Sequence, residues 1–70
     1  MQPPDKSLRY HVEVRYRKNG ALEPWKVYRT SDDFQDALGD WGVLWHRNFS
    51  RLNIRIRDTH KPKKQQIIYP

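Results

Sequence analysis

Two segments of this chain alternate polar and apolar side chains without a break, and that pattern restricts the fold more than any other feature. Leu8, Tyr10, Val12, Val14 and Tyr16 alternate with Arg9, His11, Glu13, Arg15 and Arg17. Leu52, Ile54 and Ile56 alternate with Arg51, Asn53, Arg55 and Arg57. Successive side chains of a strand project to opposite faces, so each segment reads as a strand with a dry side and a wet side. Arginine dominates both wet sides, and Glu13 is the one acid among them.

The remaining elements follow from turn and capping chemistry. Lys18-Asn19-Gly20 closes a hairpin, because Asn and Gly both tolerate positive φ. A second strand over about 22–30 contains Pro24, which cannot donate a ladder hydrogen bond. That residue places the strand at an edge, or delays its regular part until after Pro24. Within it Trp25 and Val27 are expected on the dry face, with Lys26 and Tyr28 on the wet one.

Thr30-Ser31-Asp32-Asp33 starts a helix, with a side chain to cap free N–H groups and carboxylates at the positive end of the dipole. Phe34, Ala37, Leu38, Trp41, Leu44 and Trp45 recur at helical spacing as one apolar stripe, opposite Asp32, Asp36 and Asp40. Gly39 and Gly42 fit a close approach, a kink or an early helix end, and the sequence leaves these open. Residues 48–50 form the turn into the third strand, about 51–58.

The order β-β-α-β predicts a two-layer α+β sandwich: a three-stranded antiparallel sheet in the order 2-1-3 with the helix on one face. Its core is expected to hold Tyr10, Val12, Val14, Tyr16, Trp25, Val27, Leu52, Ile54 and Ile56 against the helical stripe. Residues 1–7 are expected as a flexible arm, 8–60 as the single domain, and 61–70 as a flexible basic tail. In that tail Ile67-Ile68-Tyr69 is compatible with a short extra strand at 66–69, with docking on a neighbouring chain, or with disorder.

Composition then narrows the function. Aromatic residues make up 13% of the chain, enough for rings to build a core in so short a protein although the hydrophobic fraction is only 36%. No cysteine is present, which removes disulfides and thiolate metal sites. Neither a signal-peptide pattern nor a membrane-length apolar run is visible, so a cytoplasmic protein without membrane contact is expected. The net charge of +6 steers it toward polyanions.

No catalytic triad, glycine-rich phosphate loop or metal-ligand spacing appears, so no enzyme activity, cofactor or metal is expected. Asp36 and Asp40 read as a solvated helix face, and Trp25, Trp41 and Trp45 as core. The wet sheet face is the candidate site: Arg9, Arg15, Arg17, Lys26, Arg51, Arg55 and Arg57 for phosphates, with Tyr28 and Asn53 for stacking or base-edge contacts. Guanidinium forks recur about 7 Å apart along one strand face, close to the phosphate repeat of one nucleic-acid strand. The expected partner is nucleic acid, DNA ahead of RNA, bound by a monomer or weak dimer. Duplex or backbone recognition is preferred because the aromatic positions that a single-strand-binding RNA sheet uses are not found. The alternative is an adaptor or inhibitor docking on an acidic surface of a larger protein.

Overall fold

The computed structural model describes residues 3–47, 49–50 and 53–69. The expectations for Leu52 in the core, for Arg51 on the wet face and for Asn48 in a turn fall outside that set. The elements are β1 (Tyr10–Val14), β2 (Arg17–Lys18), β3 (Ala21–Leu22), β4 (Lys26–Ser31), α1 (Phe34–His46), β5 (Ile54–Asp58) and β6 (Ile67–Tyr69). The main sheet has the order β4-β1-β5-β6, and each neighbouring pair is antiparallel. The centre of that order is the one read from the sequence, with β1 between the second and third long strands.

Both strands of the first hairpin are interrupted. β1 ends at Val14, and β2 and β3 form a separate two-stranded ribbon beyond it. Asn19 at φ 52° and Gly20 at φ 80° make the turn of that ribbon, the positive-φ pair that suits the twist of a tight hairpin. Pro24 lies between β3 and β4, so β4 begins only at Lys26 and forms one edge of the sheet. A proline without an N–H accounts for both facts.

The sheet has four strands, which corrects the three-stranded expectation. Lys63–Gln65 forms a 3-10 turn, and β6 returns antiparallel to β5. Two of the apolar triplet thus pack on the core, Ile68 and Tyr69, with Tyr69 meeting the Trp41 ring edge-on at 4.9 Å, and Asp58 N–H donates to the Gln66 carbonyl at 2.7 Å. A tail with no apolar residues would have had nothing to gain from that return.

At the start of α1 the Asp33 carboxylate accepts from Gln35 N–H at 2.8 Å, and the Ser31 hydroxyl accepts from Asp33 N–H at 3.0 Å. The helix runs through Gly39 and Gly42 to His46, and a Cβ at either glycine would meet nothing within 4 Å. Neither a close approach nor an early helix end explains them. Val12, Val14, Ile54 and Ile56 pack beneath Ala37, Trp41 and Leu44 as the buried core. Trp45, expected with them, is 51% exposed, and Tyr16 is also exposed. Among the described residues no helix is long and apolar enough to cross a membrane.

Candidate nucleic-acid interface

The register of β1 against β5 decides which side chains share the face away from the helix. Val12 stands opposite Ile56 and Val14 opposite Ile54 on the helix side. Glu13 opposite Arg55 and His11 opposite Arg57 therefore share the other side. Arg15, two residues past Glu13, continues that row, and its N–H donates to the Asn53 carbonyl at 3.0 Å.

This face is not a plane of free guanidiniums. Glu13 is 3% exposed and lies under two of them. Arg55 Nε donates to Glu13 Oε1 at 2.7 Å, and Arg57 Nη2 sits 2.8 Å from Oε2. Arg15 Nε donates to Asn53 Oδ1 at 3.1 Å. One carboxylate thus bridges two arginines beside a third, which lowers their mutual repulsion and orients the forks. Three guanidiniums against one carboxylate still leave the cluster cationic. Arg57 Nε is buried with no hydrogen-bond partner among the described residues.

The indole of Trp25 joins this cluster instead of the core. The Arg55 guanidinium lies 4.0 Å and that of Arg15 4.7 Å from the Trp25 ring centroid, close cation–π contacts that hold the planes of the arginines. The cause is a bulge. β4 pairs Arg29 with Val12 but Val27 with Glu13, so Tyr28 is an extra residue and every position before it changes face. Trp25 and Val27 consequently lie on the arginine side, while Tyr28 packs against the core and Lys26 stands opposite Val14 with its Nζ 5.8 Å from the Tyr16 ring. The faces expected for all four residues are reversed.

The N-terminal segment narrows the same face at its other end. Ser7 N–H and Oγ both donate to Asp5 Oδ1, at 3.0 and 2.6 Å, closing a tight turn and holding the Asp5 carboxyl below its ordinary range. His11 Nε2 lies 3.1 Å from the Lys6 carbonyl and 3.0 Å from that of Leu8. Carbonyls only accept, so Nε2 carries a proton and the buried ring is roofed by this turn.

Three of the expected contact residues therefore come together: Arg15, Arg55 and Arg57, with Asn53 as an anchor. Others do not join them. Arg9 turns to Asp58, with Nε and Nη2 each 3.0 Å from a carboxylate oxygen. Arg17 donates to the Gly20 carbonyl within its own ribbon. Lys26 and Tyr28 lie on the helix side, and Arg51 is outside the described residues. Sequence reasoning missed Trp25, which with Val27 makes the more apolar face of its strand and so reads as core until the bulge is known. It also missed Arg29 and Arg47, which with Tyr28, Pro3 and Pro4 line a cavity of about 570 Å³ at the β4 edge. Among the described residues no group of three His, Asp or Glu side chains is placed to hold a metal ion. Comparison with protein-family models, curated proteins and solved structures finds no match to this chain.

Proposed function

We propose that this protein binds nucleic acid, without chemistry of its own, through the sheet face that carries Arg15, Arg55 and Arg57. The observation that supports the reading is the side-by-side placement of these three guanidiniums on β1 and β5, oriented by Glu13 and Asn53. Oriented forks grip phosphate oxygens with two hydrogen bonds at little further entropic cost. The charge of +6 over the whole chain adds long-range attraction. An acidic protein surface is the alternative partner.

The footprint is smaller than the sequence suggests. The face read from the sequence implies about four to six phosphate contacts and a log–log slope near −4 to −5 on duplex DNA, whereas about three contacts imply a slope near −3. Binding titrations at several salt concentrations test this directly. The expected result is that slope, flattened by about one for each of Arg15→Gln and Arg57→Gln. Variants that remain folded by circular dichroism yet bind DNA as the parent does would remove this face from the contact surface. Absence of any DNA binding alongside a salt-resistant protein complex would favour the adaptor reading.

A further inference from the structure

We infer that the basic face takes single-stranded nucleic acid, with an unpaired base stacked on Trp25 and its neighbouring phosphates held by Arg15, Arg55 and Arg57. The inference rests on the nucleic-acid reading above and narrows it to unpaired strands. Duplex recognition was favoured on the sequence because the aromatic positions of a single-strand-binding sheet were not found. The bulge at Tyr28 takes that tyrosine to the core side and sets the larger Trp25 ring among the arginines instead.

A tryptophan belonging to the core would lie beneath α1. The Trp25 indole lies on the opposite side of the sheet and is only half-buried, with two guanidiniums within 4.7 Å of its ring centroid. Ring and cations are therefore within one nucleotide of each other. In a single strand each base carries its own phosphate at that range, and the base offers both π-faces for stacking. In a duplex those faces are hidden in the base stack, so the ring would contribute little there. The contrast in charge between face and ligand supplies the attraction, and the indole supplies the preference.

The arrangement also explains why an acid stands in the centre. Without Glu13 the arginines beside the indole would repel one another and splay. With it, Arg55 is pinned through Nε between carboxylate and ring.

The test compares a short oligothymidylate with a duplex of equal length, by fluorescence anisotropy and by tryptophan emission. The expected outcome is tighter binding of the oligothymidylate, accompanied by quenching. Trp25→Leu should weaken that binding about 5- to 140-fold, with a clearly smaller loss on duplex, and should abolish most of the quenching. Trp25→Phe, which keeps a ring, should recover part of the affinity; it also carries the test if the leucine variant does not fold. Tighter binding of duplex, equal losses on both ligands, or no difference between Phe and Leu would overturn the stacking assignment while leaving the arginine face in place. If the parent binds neither ligand, the nucleic-acid reading itself fails, and stacking fails with it.

Discussion

The two faces of the sheet are both closed, but by different physics. On the helix side Val12, Val14, Ile54 and Ile56 are removed from water by Ala37, Trp41 and Leu44. On the other side Glu13 and His11 are equally inaccessible, covered by arginine side chains in one case and by the Lys6–Leu8 turn in the other. Apolar contact is non-directional and tolerates a shift of neighbours. Buried polar groups do not, because each needs a partner at a defined place. A 70-residue chain with one helix can cover only one face with apolar atoms, and the second face is assembled from ion pairs, guanidinium–indole contacts and backbone carbonyls. That second construction leaves cationic groups at the surface, which makes the face a candidate for binding as well as for structure.

The contrast breaks most sharply on the helix side. Leu44 is 2% exposed at the centre of the core. Leu44→Ala should cost about 2–5 kcal/mol from lost burial and the cavity left behind. That is comparable to the whole stability a chain of this size draws from its core, about 3–5 kcal/mol. The expected outcome is a largely unfolded protein by circular dichroism at room temperature. A cooperative melt close to the parent's would mean that the polar face carries the fold.

The opposite face responds differently. Glu13→Gln preserves shape but removes the charge that Arg55 and Arg57 share. Lost charged hydrogen bonds predict a destabilisation of about 1.5–3 kcal/mol, smaller than for Leu44→Ala. The signature is in its salt dependence. Guanidiniums left facing one another repel, and added salt screens that repulsion, so the variant's melting temperature should rise with salt more than the parent's. Two parallel salt curves would show that Glu13 does not relieve repulsion.

What was legible in the sequence divides along the same line. Alternation in β1 and β5 is a local signal with one physical cause, and it put Val12, Val14, Ile54 and Ile56 in the core and the arginines opposite them. Pro24 and Asn19-Gly20 act within their own residues, so the strand break and the turn could be read directly. The bulge is different in kind. Its position depends on how β4 pairs with β1, a contact between segments that neither encodes alone. Missing it turned Trp25, Lys26, Val27 and Tyr28 to the wrong faces together. β6 and the Arg9–Asp58 pair are also long-range: β6 forms from a segment that reads as tail, and Arg9 and Asp58 sit in two segments that read as strands, neither of which names the other as its partner. The arginine cluster was visible as residue types, while the partner of each arginine was not.

The smallest expected effect lies where the two constructions meet. Asp58 ends β5 on the helix side, yet it is an ion-pair residue, accepting from Arg9 Nε and Nη2 and from His60 N–H at 3.0 Å. The Arg9 guanidinium holds its carboxyl below the ordinary value of 3.8, burial working against it. A carboxyl with a lowered folded-state pKa adds stability that is complete above its unfolded value and is lost as pH falls through the folded one. Asp58→Asn should therefore melt below the parent at neutral pH, with the gap closing only as pH drops beneath 3.8. The gap should be modest, because the arginine end of the pair is 39% exposed and water screens it. Asp40, raised by its own burial, works in the opposite sense, and Asp5 in the same sense, so the parent's acid limb alone is not diagnostic. The difference between parent and variant isolates Asp58. A gap that stays constant down to acid pH would mean that the residue matters for its shape at the end of the strand, and that its charge is irrelevant to joining the faces.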